Sequence, residues 1–227
     1  KILYQMYFAL TLAEVILLKI CGLPLYDALI HSFSTAGTGG FSNRNLSVGA
    51  YGNPTAEIII AIFALLFSLN FGLYFLLLQR RFKEALKSDE ARFFLLLVAG
   101  STALITINIM PIYENVWDSL RYAFFQVASI ISTTGFATAD FVLWPHFSQM
   151  ILVILMFCGA CAGSTGGGIK TTTFFVLLSG IYSAATNHSE RAFHSAIPKD
   201  AFRKASVISM LAVFLVMTAS YLMLIFD

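Results

Sequence analysis

Ser34-Thr35-Ala36-Gly37-Thr38-Gly39-Gly40-Phe41-Ser42 and Ile131-Ser132-Thr133-Thr134-Gly135-Phe136-Ala137-Thr138 are the two stretches on which the fold turns. Each is small, polar and glycine-bearing, and each contains Gly-Phe. Each follows a helix-like run that opens alike, Tyr26-Asp27-Ala28-Leu29 in one and Trp117-Asp118-Ser119-Leu120 in the other. Those runs, 25–35 and 117–131, are mostly apolar, yet a helix crossing ~30 Å of hydrocarbon needs about 20 residues. Asp27 and Asp118 stand where a helix start offers free backbone N–H groups to an acidic side chain. The spacing from Asp to Phe predicts a second half-helix about one turn longer than the first. Two readings follow: amphipathic helices lying flat on an outer surface, or re-entrant half-helices that dip into the bilayer and return. Two copies of one order, half-helix then Thr/Gly segment then apolar span, favour the second.

The chemistry of that order suits a cation. A half-helix with its C-terminus inward places roughly half a negative charge near the membrane centre. An extended Thr/Gly segment can turn backbone carbonyls toward one axis and replace an ion's water shell. Glycine allows the backbone conformations this requires.

Composition agrees that the surroundings are lipid. Of 227 residues, 58% are hydrophobic and 11% charged, with 22 Phe and a mean hydropathy of +0.80. Soluble domains carry roughly 25% charged residues, so this chain cannot wet a globule's surface. A net charge of +2 leaves no surplus for phosphate backbones, which excludes nucleic acid as a partner. Three cysteines are too few for a disulfide framework. No Ser/His/Asp or paired-carboxylate constellation appears, so no enzyme is expected. The chain begins at Lys1 with helix-like sequence already running, which reads as an interior fragment.

Charge-free gaps predict five crossings, at about 2–21, 56–79, 92–110, 148–182 and 203–226. The linker Arg80-Arg81-Phe82-Lys83-Glu84-Ala85-Leu86-Lys87 and the one holding Arg191, Lys199, Arg203 and Lys204 are basic. The opposite connections contain only Arg44 and Arg121. Positive residues stay cytoplasmic, so the N-terminus is expected inside and Asp227 outside.

Phe157-Cys158-Gly159-Ala160-Cys161-Ala162-Gly163-Ser164-Thr165-Gly166-Gly167-Gly168-Ile169-Lys170 interrupts the fourth span. Glycine costs ~1 kcal/mol relative to alanine in a helix, so no helix is expected through 163–168. Three readings compete. A phosphate-binding loop fits G-x-x-x-x-G-K-[ST] only until Ile169 intervenes, and no soluble strand precedes it. Close helix packing explains Gly159 and Gly163 but not three consecutive glycines. The third reading is an intramembrane loop that moves to open or close a pathway. Lys170 either repels cations there or pairs with a carboxylate elsewhere in the protein, or it snorkels to the inner interface.

These stretches resemble the Trk/Ktr/HKT superfamily of potassium and sodium transporters, and within it the TrkH-type membrane subunit. His31-Ser32-Phe33-Ser34-Thr35 with Gly39-Gly40-Phe41-Ser42, Ser132-Thr133-Thr134-Gly135-Phe136, and Gly163-Ser164-Thr165-Gly166-Gly167-Gly168-Ile169-Lys170 carry the likeness. The resemblance implies an all-α membrane protein of repeated M1–P–M2 units: outer helix, re-entrant pore half-helix with extended filter strand, inner helix. It maps 1–79 onto the second of four such units and 92–185 onto the third. Residues 203–227 become the first helix of an incomplete fourth unit, and 80–91 and 186–202 the cytoplasmic linkers. It implies K⁺ held by backbone carbonyls of a filter lined by Thr38, Gly39, Gly40, Ser132, Thr133, Thr134 and Gly135. Gly40 and Gly135 become filter glycines, which go with potassium selectivity. The gate is expected at residues 159–168, with Gly159, Gly163, Ser164, Thr165, Gly166, Gly167 and Gly168, and with Lys170 beside it.

The resemblance further implies a multi-pass protein in contact with lipid in the cytoplasmic membrane of a bacterium or archaeon. It implies a homodimer regulated by a cytosolic nucleotide-binding ring of the TrkA type, with no cofactor in this chain itself. An ion-coupled solute transporter with broken helices and a non-transporting assembly subunit remain rivals.

Other residues read as structural. Cys158 and Cys161 have redox spacing but lie in an apolar span. Asn70 and Asn108 are expected to bond between helices. His31, on the first half-helix, is expected to pack by hydrogen bonding, with bracing of the filter as the alternative, and His146, His188 and His194 lack ligand spacing. Glu14, inside the first span, is a functional candidate without an obvious partner.

Overall fold

The computed structural model describes residues 2–113, 115–186, 191–192, 195–196 and 199–226. The chain forms two compact units, Lys1–Gly168 and Ile169–Asp227.

In the first unit, α1 (Ile2–Ile20) leads through Gly22 into the short α2 (Leu25–Ala36). A 3₁₀ turn (Ser47–Tyr51) then precedes α3 (Pro54–Ser68) and α4 (Phe71–Leu78). After α5 (Phe82–Leu86) the pattern returns: long α6 (Asp89–Tyr113), shorter α7 (Val116–Ile131), a 3₁₀ turn (Phe141–Leu143) and α8 (His146–Phe157). At 12 residues α2 is about 18 Å long, and α7 at 16 residues about 24 Å, one turn more. Neither spans ~30 Å of hydrocarbon. The 25-residue α6, about 37 Å, does.

Helix starts are built by asparagine. Asn53 accepts from the Thr55 and Ala56 N–H groups ahead of Pro54, and Asn115 accepts from Trp117 N–H. The expectation that Asp27 and Asp118 do this work is corrected. Pro24 precedes α2 without a side-chain cap, and Asp118 pairs with Arg121 at 3.1 Å.

Half-helix α7 is the hub. Its Ala123, Phe125, Val127, Ala128 and Ile131 are fully or almost fully buried against α3, α6 and α8. Arg121 locks it to the start of α3 by an ion pair with Glu57, and lies 4.2 Å over the Tyr122 ring.

Three described helical stretches are long and apolar enough to cross a membrane: Ile2–Ile20, Asp89–Tyr113 and Phe202–Met223. They carry exposed apolar side chains such as Phe8, Leu96, Ile107 and Met210, as lipid contact requires. The expected straight span at 56–79 is corrected: α3 and α4 meet at 91°. Leu69 and Asn70 are extended, and Asn70 Oδ1 accepts Gly72 N–H at 2.8 Å to start a new helix. Asn70 therefore caps, where a bond between helices was expected. Asn108 does bridge helices, accepting from Ser148 Oγ at 2.7 Å. The span at 148–182 is interrupted, as its glycine-rich stretch predicts, with no helix between α8 and α9 (Thr171–Thr186).

The second unit holds α9, a two-residue antiparallel ladder pairing Arg191–Ala192 with Ser195–Ala196, and α10 (Lys199–Phe226). The Phe202 ring packs on Gly180, where no side chain would fit. His188 and His194 lie outside the described residues, as does part of the linker expected at 186–202.

Candidate ion-conduction site

Both half-helices end by the same device. Gly39 N–H donates to Ser34 O at 2.8 Å and Thr38 N–H to Thr35 O at 3.1 Å. In the second copy Thr134 N–H donates to Ser129 O at 3.0 Å and Thr133 N–H to Ile130 O at 2.9 Å. This crossed pair of bonds is the Schellman ending, which puts its next-to-last residue in the left-handed region. That residue is threonine both times: Thr38 has φ 49° and Thr133 φ 59°. Two residues on, Gly40 (φ 68°) and Gly135 (φ 86°) are left-handed again. Successive carbonyls of a regular strand alternate sides. A left-handed residue at every second position breaks that alternation and lets consecutive oxygens face one way.

The side chains follow a period of two. Ser132 and Thr134 are buried and their hydroxyls bond each other at 2.7 Å, whereas Thr133 is half-buried and Gly135 exposed. Ser132 and Thr134 thus brace the strand from behind. The two strands meet: a Cβ on Gly40 would strike the Thr134 carbonyl oxygen and lie 3.2 Å from Gly135 C. Past the glycines, Gly49 N–H donates to Ala137 O at 3.1 Å. Phe136 is buried and Phe41 exposed.

His31 holds the first strand in place. Its Nδ1–H donates to Asp27 O at 2.7 Å, which leaves Nε2 to accept from Ser42 Oγ at 3.0 Å. Its ring lies 5.4 Å from that of Phe136 in the other copy. Asp27, in the first turn of α2, accepts from Asn43 at 2.7 Å, Tyr51 at 2.8 Å and Arg44 at 3.4 Å. Burial pushes this carboxyl up, but those three donors outweigh it and hold it below the ordinary carboxylate range.

The glycine-rich segment is non-helical from Cys158 through Gly168 and is folded back on itself, with Gly159 pressed on the Gly167 carbonyl. It docks into the elbow between α3 and α4. Cys161 N–H donates to Ser68 O at 3.0 Å, Thr165 N–H to Phe67 O at 3.2 Å, and Phe71 N–H to Gly163 O at 3.1 Å. Ending α3 frees carbonyls and starting α4 frees an N–H; the loop satisfies them. Glu90, at the start of α6, accepts Ala162 N–H at 2.6 Å. Toward the half-helices, Gly167 N–H donates to Thr133 Oγ1 at 2.6 Å, and Thr38 Oγ1 donates to Thr165 O at 3.4 Å. Gly166 lies under the Ser132 carbonyl.

The structure therefore brings Thr38, Gly39, Gly40, Ser132, Thr133, Thr134 and Gly135 together, with Thr165, Gly166 and Gly167 against them. Gly163 sits beside Asn70, Gly168 beside Gly159, and Ser164 Oγ bonds Cys161 O within the loop. Lys170 belongs to the second unit, its carbonyl accepting Phe174 N–H at 3.0 Å. Cys158 and Cys161 are buried thiols. Among the described residues no three His, Cys, Asp or Glu side chains group as metal ligands.

Sequence reasoning missed Glu57, Glu90 and Asn115 altogether, and gave Arg121 no partner. Only Asn115, ahead of an apolar run and three residues before Asp118, carried a local signal.

Short helices that turn back at paired glycines, beside an unwound inner segment, define a class: helical membrane proteins with re-entrant hairpins. Within that class, the chain belongs to the TrkH family, described as cation transport protein, whose model matches residues 2–227. It is 40% identical over 182 residues to a Trk system potassium uptake protein TrkH of Salmonella typhimurium, and 38% to one of Escherichia coli. Each alignment takes in 78% of this chain and 37% of the relative. The crystal structure of the potassium transporter TrkH from Vibrio parahaemolyticus matches with a TM-score of 0.88 at 28% identity, over 99% of this chain and 50% of that one. The chain thus spans about half the length of the relatives it matches. The family is one of transporters, not enzymes.

Proposed function

We propose that the full-length protein conducts potassium ions across the cytoplasmic membrane of its cell, down their electrochemical gradient. Thr38–Gly40 and Ser132–Gly135 supply backbone carbonyls to the dehydrated ion, and residues 159–168 form the gate. One observation carries this: two half-helices end in the same left-handed turn and lay their filter glycines side by side. The helix ends add partial negative charge where the ion would sit, and the carbonyls replace its water. The names of the related uptake proteins support potassium as the ion. In this reading 1–79 and 92–185 are two M1–P–M2 units and 203–227 opens another. The basic linkers 80–91 and 186–202 face the cytosol, where a nucleotide-binding ring regulates a homodimer. Lys170 lies toward the cytosolic side.

Rubidium uptake into liposomes holding the full-length protein tests the proposal. Gly135→Ser should lower preference for rubidium over sodium, since φ 86° strains any side chain there. Unchanged selectivity in a folded variant would remove Gly135 from the filter, and absent flux in the parent would remove conduction itself.

A further inference from the structure

Left-handed backbone is unusual for any residue with a Cβ and an outlier for a β-branched one. Glycine is the common occupant of this position in a Schellman ending. Yet both half-helices place threonine there, at Thr38 and Thr133. Strain held twice at equivalent positions points to something the side chain does.

Both hydroxyls reach the same target. Thr133 Oγ1 accepts Gly167 N–H at 2.6 Å, and Thr38 Oγ1 donates to Thr165 O at 3.4 Å. The neighbouring hydroxyls of Ser129, Ser132 and Thr35 are bonded within their own half-helix and strand, and the filter glycines have none. Gly167 has no side chain in the way; a Cβ there would already lie 3.2 Å from Thr133 Oγ1. The loop segment 165–167 is thereby tied to the inner end of each filter strand, once through a donor and once through an acceptor.

We propose that Thr38 and Thr133 are positioning residues that latch the intramembrane loop shut against the two filter strands. Their hydroxyls are the reason that glycine does not occupy the left-handed turn. The inference rests on the reading of 159–168 as the gate, and it adds the groups that hold it closed. Thr133 is the stronger arm by distance, and Thr38 the weaker.

The test reads loop position directly, without ion flux. Cys161, within the loop, is fully buried where the loop docks against Ser68. In the full-length protein, with every other cysteine replaced, the rate of its modification by a membrane-impermeant thiosulfonate from the cytosolic side reports release. Removing one neutral hydrogen bond shifts such an equilibrium about threefold to tenfold. Thr133→Val keeps the shape and loses the hydroxyl, so Cys161 should react about threefold to tenfold faster. Thr133→Ser keeps the hydroxyl and should leave Cys161 protected. Thr38→Val should accelerate modification by less, and it provides the reading if Thr133→Val does not fold. Equal rates for the Val and Ser variants, or no acceleration in a monodisperse Val variant, overturn the latch. Rubidium flux by the parent is scored separately. Its absence sinks conduction while the thiol rates still decide the latch.

Discussion

Gly40 and Gly135 hold equivalent places in the two strands, but the structure predicts that a methyl group will be tolerated very differently at each. Both are left-handed, so alanine at either costs ~1–2 kcal/mol of backbone strain. At Gly135 the added Cβ meets nothing within 4 Å. At Gly40 it runs into the Thr134 carbonyl oxygen and stands 3.2 Å and 3.3 Å from Gly135 C and Cα. These are backbone atoms of the neighbouring strand and cannot rotate aside, so an overpacking cost of ~1–3 kcal/mol is added. The total is ~2–5 kcal/mol for Gly40→Ala against ~1–2 kcal/mol for Gly135→Ala. In thermal unfolding of the solubilised full-length protein, Gly40→Ala should lower the midpoint about twice as far as Gly135→Ala, or more. It should also abolish the preference for rubidium over sodium, because separating the strands widens the carbonyl spacing. An equal or larger loss from Gly135→Ala would refute the reasoning, since it would mean that the two strands do not abut as described.

Three further outcomes are expected. Glu90→Ala removes a charge-assisted bond to Ala162 N–H, so resting rubidium flux should rise about tenfold or more; Glu90→Gln, which keeps an acceptor, should raise it far less. The depressed Asp27 carboxyl stabilises the first turn of α2 fully above its unfolded value of about 3.8, and loses this as pH falls through its lower folded value. Asp27→Asn should therefore lower the thermal midpoint at neutral pH and flatten its fall in the acid range, as a pH series of melts will show. Glu14 is fully buried in α1 and makes no ion pair among the described residues; Glu14→Gln, which cannot carry the charge, should raise the thermal midpoint, and a fall of several degrees would reveal a cationic partner elsewhere in the protein.

Much of this arrangement was legible in the sequence because it is written locally. Two short apolar runs ending in Thr and Gly give half-helices, and three consecutive glycines give a break. The left-handed turns at Gly40 and Gly135 follow from residue type. What escaped reading is held by distant partners. Ser68-Leu69-Asn70 lies within an apolar run that scores as span, yet the helix turns through 91° there because Cys161, Gly163 and Thr165 satisfy the backbone groups that the break exposes. Arg121 reads as an isolated outer charge until folding places Glu57 against it. Thr38 and Thr133 look like mere filter residues, and only their φ angles and hydroxyl contacts set them apart.

The elbow has a consequence for how the protein is made. The carbonyls of Phe67 and Ser68 emerge from the ribosome well before Cys161 and Thr165, the residues that will bond them. Hydrocarbon offers such groups nothing in the meantime. Until Cys161 and Thr165 arrive, the run can satisfy those carbonyls only as one unbroken helix, accepting N–H groups four residues on, so the elbow is a late event that the second hairpin brings about.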